Sequence, residues 1–323
     1  MLYRLLLLAL LALALAHTPV MMALGLSALP LAILLGIAYG NLAPQVERPG
    51  DGTVMAFCQQ KLLRLGIILF GFNLSFQQIA AVGYQAIVLD AIVIAVILTT
   101  GIAIGIHGFK LSREVAVLTA VGSAVCGVAA IMATESVIKA REQDTAVSVA
   151  TVILFGTLAM FAYPVIFHLV EMTPALFGIY IGSTVHEVAQ AAAAGQFIGG
   201  EAMQNAVVVK LIRVMLLAPV VITIGSLFFR GQQRATTRLP VPWFVLGFVG
   251  CAALNSLLTL PAPLLQGLQL ASQLSLAVAM VALGLKTRWH TVRQAGIKPM
   301  ALSFLLFIML LAGGFGLNLL ICH

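Results

Sequence analysis

The stretch from residue 178 to residue 190 (GIYIGSTVHEVAQ) holds the side chains best suited to chemistry in this chain. A charged residue at the centre of a membrane costs about 3 kcal/mol or more to insert, so an ionisable group in an apolar segment is a functional candidate by default. The three- and four-residue spacing predicts that Ser183, Glu187 and Gln190 share one face of a helix, with His186 beside it. Such a stripe is typical of a cavity or a proton path. A buried hydrogen-bond network that joins helices is the alternative.

The neighbouring residues His186 and Glu187 raise the question of a metal site. The zinc-protease motif His-Glu-x-x-His needs a second imidazole one turn later, and this chain has Gln190 there. The sequence also lacks a Gly-x-x-x-x-Gly-Lys-Ser/Thr phosphate loop, a haem-attachment motif and a Gly-x-Ser-x-Gly elbow. We therefore expect no metal, no cofactor and no catalytic residue. A transporter driven by a gradient agrees with these absences better than a pump or a redox enzyme.

A second stretch, from residue 121 to residue 127 (VGSAVCG), lies in the middle of another apolar segment. Its two glycines, Gly122 and Gly127, together with Ser123, weaken a helix. If the helix breaks there, free backbone N–H groups and the positive end of the helix dipole form a ready anion site, to which Ser123 adds a hydroxyl donor. Close helix packing through small residues is the alternative.

The two stretches are related by a weak internal repeat. The pairs GS and AV at residues 122–123 and 146–147 recur at residues 182–183 and 206–207, at a constant offset of 60. Such echoes are typical of inverted repeats in secondary transporters, so we predict an inverted repeat in which both glycine-containing segments are broken. The candidate substrate-binding residues are Gly122, Ser123, Cys126, Gly127, Gly182, Ser183, Thr184 and Asn73.

Lys210 and Arg213 lie one helical turn apart in the apolar segment that follows. A short turn joins this segment to the preceding one, so Lys210 is predicted to lie near the depth of Glu187. A buried base beside a buried acid lowers the cost of both charges, whereas a purely structural pair, or snorkelling to the interface, would explain the same residues without transport. Asp90 is interpreted as reaching the membrane interface. The candidate coupling residues are His186, Glu187, Gln190, Lys210 and Arg213.

The elements that must position these residues are membrane helices. Of the 323 residues, 62% are hydrophobic and 8% are charged, and the mean hydropathy is +1.11. A soluble protein needs far more polar surface, which excludes a soluble enzyme, a secreted disulfide scaffold and a disordered chain. The net charge of +7 comes from basic residues between apolar segments, which indicates the positive-inside bias of a membrane protein and not nucleic-acid binding. We predict one all-α polytopic transmembrane domain over residues 1–323, with about 10 or 11 membrane segments.

Each apolar segment is a candidate membrane helix. The segments lie near 3–16, 20–42, 62–81, 86–107, 114–138, 145–169, 175–199, 205–229, 241–260, 264–285 and 299–321. Residues 1–19 form either a short first helix or a signal-like segment. Pairs of glycines four residues apart are typical of close helix contacts; they are Gly36/Gly40, Gly101/Gly105, Gly178/Gly182 and Gly195/Gly199.

The basic loops orient the chain. They contain Arg48, Lys61, Arg64, Lys110, Arg113, Arg230, Arg234, Arg238, Lys286, Arg288, Arg293 and Lys298. Placing them in the cytoplasm gives either eleven crossings or nine crossings plus two re-entrant hairpins at 114–138 and 175–199. Eleven crossings would leave Lys139 and Arg141 outside, but the charge rule leaves both schemes open.

Several strings of this sequence resemble the YeiH family of bacterial inner-membrane proteins. They are residues 62–71 (LLRLGIILFG), 122–127 (GSAVCG), 133–135 (ATE), 149–157 (VATVILFGT), 178–190, 242–244 (PWF) and 282–285 (ALGL). The resemblance runs from about residue 20 to the C-terminus. It implies a multi-pass inner-membrane protein and a distant relation to the bile-acid, arsenite and riboflavin transporters, which have inverted repeats and crossed broken helices. Members of the family are often labelled sulfate exporters.

The leading hypothesis is a secondary transporter of a small anion, such as sulfate or a related sulfur oxyanion, that works by alternating access. His186 and Glu187 would couple transport to protons, because histidine titrates near neutrality. A carrier of a small organic acid, coupled to Na⁺ or H⁺, is the second hypothesis. An intramembrane enzyme and a sensor or scaffold without flux are further alternatives. The expected partners are the anion, the coupling ion and the bilayer, and a homodimer is left open.

Overall fold

The computed structural model describes residues 1–23, 27–42, 51–228, 242–258, 260–287 and 295–322. Helices account for nearly all of these residues, and no strand occurs among them. The first nine helices are α1 (Leu2–Ala16), α2 (Pro19–Ala23), α3 (Ala28–Leu42), α4 (Asp51–Phe57), α5 (Leu63–Phe70), α6 (Phe76–Ala81), α7 (Gly83–Ala103), α8 (Arg113–Ala124) and α9 (Val128–Ile138). The others are α10 (Glu142–Phe167), α11 (Pro174–Thr184), α12 (Val188–Ile198), α13 (Gly200–Met215), α14 (Leu217–Phe228), α15 (Trp243–Leu257), α16 (Ala262–Lys286), α17 (Ile297–Ile308) and α18 (Gly314–Cys322). The predicted loop residues Arg48, Arg230, Arg234, Arg238, Arg288 and Arg293 lie outside the described residues.

Short π-helical turns at Cys58–Leu62 and Met309–Gly313 join α4 to α5 and α17 to α18, and turns at Gly71–Asn73 and Ile104–Gly108 lengthen α5 and α7. Six helical stretches of the described chain are long and apolar enough to cross a membrane; they are Asp51–Asn73, Gly83–Gly108, Glu142–Phe167, Gly200–Leu227, Ala262–Lys286 and Ile297–Cys322. The prediction of an all-α polytopic membrane protein is confirmed.

One group of helices consists of α1, α3, α5 and α16. Its closest contact joins α3 to α16, because a Cβ added at Gly36 would meet the backbone of Gly284 and Val281. The predicted close contact through the pair Gly36/Gly40 is therefore confirmed, since Gly40 in turn approaches the backbone of Leu285. Helix α1 packs on the same group and buries Leu5 completely, so the first apolar segment is part of the helix bundle.

Helices α8 and α9 form a hairpin that returns to the face from which it starts. The side chain of Ile131 in α9 packs against Gly122 in α8, nine positions earlier in the sequence. A straight helix would separate these residues by about 14 Å. Glu114, at the start of α8, acts electrostatically on Arg141, which follows the hairpin. Both ends of the hairpin therefore lie on one face, called the basic face below because Lys110, Arg113, Lys139 and Arg141 are near it.

Helices α11 and α12 form the matching hairpin from the opposite face. The Asn205 amide of α13 donates a hydrogen bond to the carbonyl of Ala175 at the start of α11, over 3.1 Å. At the far end of α12, Gly195 packs against the backbone of Met203. Because both ends of this hairpin contact the first two turns of α13, the hairpin enters and leaves on the same side.

The bounds of the two hairpins repeat with the offset seen in the sequence. Helix α9 covers Val128–Ile138 and α12 covers Val188–Ile198, an offset of 60 residues. The hairpins enter from opposite faces, as in an inverted repeat. In the described part of the chain, segments 114–138 and 175–199 are both re-entrant hairpins, which agrees with the second topology scheme and contradicts eleven full crossings. The pair Lys139 and Arg141 then lies with the other basic residues, which removes the conflict of the first scheme.

Candidate functional site

The two hairpins meet at their tips, where both helices are broken. Helix α8 ends before Val125–Gly127 and α11 ends before Val185–Glu187. Gly127 has a φ of 70°, a conformation that residues with a Cβ adopt only at a cost. An added Cβ there would also meet the Glu187 side chain. A glycine is therefore required at this tip for both its backbone and its space.

Glu187 joins the N-terminal ends of both half-helices. Its Oε1 accepts a hydrogen bond from the backbone N–H of Val128, the first residue of α9, over 3.3 Å. The same side chain caps its own helix α12 in a capping box, in which the backbone N–H of Glu187 donates to Oε1 of Gln190 over 3.2 Å. A carboxylate at two positive helix ends is electrostatically favoured. Glu187 is half-buried, unlike its neighbours at the tip.

Lys210 and Arg213, both of α13 and both completely buried, bind the opposite ends of the half-helices. The Lys210 ammonium donates to the carbonyl of Val125, over 2.9 Å, and to that of Val185. Arg213 Nε donates to the carbonyl of Ala124 over 2.8 Å. Its two remaining nitrogens donate to the backbone carbonyls of Ser183 and Ser123. Each cation thus contacts both hairpins at the negative ends of α8 and α11.

This arrangement corrects two details of the sequence prediction. Ser183, Glu187 and Gln190 do not share one helical face, because the chain is not helical at Val185–Glu187. Lys210 does not form an ion pair with Glu187: within the described ranges, the acid and the base bind opposite ends of the half-helices. The prediction that Lys210 lies near the depth of Glu187 is confirmed, since Lys210 binds the carbonyl two residues before it.

The remaining candidate residues lie around the tips and differ in their free hydrogen-bonding groups. Ser183 and Thr184 both donate to the Tyr180 carbonyl, as ordinary helix back-bonds. The Ser123 hydroxyl and both ring nitrogens of His186 are buried and, in the part of the chain described, have no hydrogen-bond partner. Cys126 is buried in the break itself. Gly182 allows α11 to approach the backbone of α13.

Asp90, in α7, is a site residue that the sequence interpretation missed. It is completely buried and not at an interface, and its two carboxylate oxygens lack a partner among the described residues. Lys210 and Arg213 act on it electrostatically. A buried carboxylate needs such counter-charges. The signal available in the sequence was an acidic residue inside an apolar segment, which a membrane helix tolerates only towards the protein interior.

Asn73 lies away from the hairpin tips, in a crevice between the group of α1, α3, α5 and α16 on one side and α12 and α13 on the other. Its side chain donates to the Phe70 carbonyl, and its own carbonyl accepts from Gln204 over 3.1 Å. The structure therefore does not bring Asn73 together with the other candidate residues. Among the described residues, no group of three or more His, Cys, Asp or Glu side chains could hold a metal ion.

Comparison with known proteins assigns the family. A family model described as conserved hypothetical protein 698 matches residues 1–303. An inner membrane protein YeiH of Escherichia coli K12 is 42% identical over 300 residues, which cover 91% of this chain and 86% of the relative. The chain belongs to the YeiH family. Another member of the YeiH family, from Salmonella typhimurium, is 42% identical over 306 residues, covering 92% of this chain and 86% of that protein.

Other relatives carry the same general description. A membrane protein of Yersinia pestis is 43% identical over 325 residues, covering 97% of this chain and 90% of the relative. One of Pseudomonas aeruginosa is 44% identical over 302 residues, covering 90% and 85%. No solved structure is significantly similar to the chain. As a YeiH-family protein with six long apolar helices in its described part, the chain is a multi-pass inner-membrane protein.

Proposed function

We propose that this protein is a secondary transporter of a small anion, such as sulfate or a related sulfur oxyanion, and that it works by alternating access. The observation that carries the proposal is the meeting of two opposed hairpins around two buried cations and one half-buried carboxylate. Broken helices that meet inside the membrane are a recurrent transport site. Buried charges are too costly to be retained in a membrane without a use.

The site favours an anion. Lys210 and Arg213 bring two positive charges to the tips, and the N-terminal ends of α9 and α12 add their helix dipoles. The free hydroxyl of Ser123 can donate a further hydrogen bond. The Glu187 carboxylate already accepts from these helix ends and so has the place that an anion would take. An incoming anion must therefore meet a protonated or displaced Glu187, which links anion binding to proton uptake.

Protons are better suited than Na⁺ to couple this transport. In carriers with broken helices, Na⁺ binds the carbonyls of the unwound segment and of the half-helix C-terminal ends. Here those carbonyls accept hydrogen bonds from Lys210 and Arg213. The two side chains provide the positive charge that a bound cation would otherwise supply. Proton coupling through Glu187, with His186 beside it, is therefore the preferred form of the proposal.

A thermal-stability screen of the detergent-purified protein tests the proposal. The probes are sulfate, sulfite, thiosulfate, short carboxylates, chloride and Na⁺ at several pH values. A ligand at 100 times its dissociation constant should stabilise the fold by about 2.7 kcal/mol. We expect a saturable shift with one anion, weakened in Ser123→Ala and unchanged in the control Ser136→Ala, whose hydroxyl bonds within its own helix.

Flux into proteoliposomes completes the test. We expect uptake of the stabilising anion to be driven by a pH gradient and to be unchanged when choline replaces Na⁺. A shift with Na⁺ alone would contradict the anion site and favour a cation-coupled carrier. If no probe is transported but one is chemically changed, an intramembrane enzyme would be favoured. If no probe is transported or changed, a sensor or scaffold would be favoured.

A further inference from the structure

We propose that the crevice next to Asn73 is the entry site for the transported anion, and that this anion is organic: a carboxylate or sulfonate head group on a short apolar body. The inference rests on the proposed transport function and names the substrate class. The crevice is separate from the site at the hairpin tips. Gln196, in the wall of the crevice, stands nine residues after Glu187 in the same hairpin arm, about 14 Å along the helix.

The crevice has a volume of about 480 Å³ and has two walls. One wall comes from α3, α5 and α16, and the other comes from α12 and α13. This volume lies within the range of about 300–1,000 Å³ that is typical of small-molecule sites. A bare inorganic oxyanion would leave most of it to water.

The crevice opens on the face opposite the basic face. Hydrogen bonds join the helix ends at its rim: Gln196 accepts from the backbone N–H of Leu29 over 3.2 Å, and Gln204 donates to the carbonyl of Asn73. These helix ends carry no basic residue. The positive-inside rule places this face outside the cytoplasm. From the rim the crevice reaches Leu276, in the middle of α16, so it leads from the outer surface towards the centre of the membrane.

The lining chemistry indicates an organic anion. Three glutamines of α16 at positions 266, 269 and 273 follow one helical face into the crevice, and Gln196 faces them from α12. Carboxamide N–H groups bind carboxylate or sulfonate oxygens. No charged residue lines the crevice in the described ranges, so an anion is held there without being trapped. The side chains of Leu29, Phe70 and Met203 provide an apolar wall for its body.

Two of the carboxamides have hydrogen-bonding capacity to spare. The Gln273 side chain makes no hydrogen bond within the described chain. The Gln269 amide makes one long bond, of 3.4 Å, to the carbonyl of Phe72. Both side chains are half-buried. They can therefore turn towards a ligand with little loss of existing contacts.

The test measures the thermal shift of the full-length purified protein with two series of probes: straight-chain carboxylates from acetate to hexanoate, and the alkanesulfonates of the same lengths, with sulfate for comparison. We expect the affinity to rise about fourfold for each methylene that is buried. Gln269→Leu and Gln273→Leu should weaken every organic probe several-fold. The matched control Gln85→Leu, on the exposed surface of α7, should not.

Accessibility gives a second measurement that does not depend on thermal unfolding. Cysteine introduced as Gln273→Cys should react with a membrane-impermeant maleimide in intact cells, above the background of the unmodified protein, and hexanoate should slow the reaction. A shift with sulfate but no dependence on chain length would overturn the organic entry site and leave the anion transporter standing. Chain-length dependence that both leucine variants retain would also overturn it. If no anion stabilises the protein or is transported, the proposed function itself fails.

Discussion

The carboxylate of Glu187 in one hairpin accepts a hydrogen bond from the backbone N–H of Val128 in the other, over 3.3 Å. This bond joins the two hairpins, which enter the membrane from opposite faces. It therefore makes one acidic side chain part of both helix ends at which an anion would bind. Whether that side chain carries a proton decides whether those ends are free, and this gives the first prediction.

Glu187→Gln should remove the pH dependence of anion binding. The amide oxygen can still accept from Val128, so the fold is retained, but the group no longer titrates. In the natural protein, a lower pH protonates the carboxylate and frees the helix ends, so anion affinity should rise as pH falls. In the variant, the thermal shift at fixed anion concentration should be the same at every pH. Glu201→Gln, at an exposed residue, is the control. An unchanged pH profile in Glu187→Gln would show that coupling lies elsewhere.

Lys210→Met should destabilise the protein strongly. The variant keeps the length of the side chain but leaves the carbonyls of Val125 and Val185 without their donor. Hydrogen bonds to charged groups contribute about 1.5–3 kcal/mol each, so the loss should be several kcal/mol in thermal unfolding. Lys61→Met, at an exposed lysine, should change stability by less than about 0.5 kcal/mol. Equal unfolding temperatures for the two variants would contradict the structural account of Lys210.

Gly127→Ala should be destabilising, whereas Gly267→Ala should not. The first residue has a φ of 70°, and its new Cβ would meet Glu187. A backbone at φ 70° and ψ −133° is in a sparsely populated region and costs a residue with a Cβ about 1–3 kcal/mol. Gly267 lies in α16 with no atom within 4 Å of an added Cβ, so alanine there should be neutral or stabilising by up to about 1 kcal/mol. The two unfolding temperatures, measured in the same detergent, decide the matter.

Asp90→Asn should tighten anion binding. The substitution preserves shape and removes a negative charge that faces Lys210 and Arg213. The positive potential at the tips then rises, and a neighbouring charge in a partly polar interior is worth roughly tenfold in affinity. We expect a lower dissociation constant together with slower flux, because release becomes harder. Asp144→Asn, which changes a residue paired with Arg141 at 2.8 Å, is the control. A higher dissociation constant in Asp90→Asn would contradict this role.

The helices and the repeat could be predicted from the sequence because both depend on local patterns. Apolar segments of membrane-spanning length dictate helices, and the recurrence of GS and AV at an offset of 60 predicted an inverted repeat. The turn-back of 114–138 could not be predicted. It depends on Ile131 packing against Gly122, a contact between residues whose own preferences are also compatible with a continuous helix.

The candidate site was predicted in position but not in arrangement. The spacing of Glu187 and Gln190 was interpreted as a stripe on a helix, but it is a capping box, in which Gln190 has the usual N3 position and Glu187 replaces the usual Ser or Thr at the N-cap. Periodicity cannot distinguish a helix interior from a helix start. Asp90 was missed because its counter-charges come from α13, more than a hundred residues later in the chain.

The two cations of α13 also have a mechanical consequence. Lys210 and Arg213 each hold backbone atoms of both hairpins, so neither hairpin can shift alone without breaking charged bonds in a dry interior. The hairpins and α13 must therefore travel as one rigid block. The other block is the group of α1, α3, α5 and α16, joined through Gly36 and Gly284. The crevice lies between the two blocks. A sliding motion of one block against the other would carry the hairpin tips from one side of the membrane towards the other.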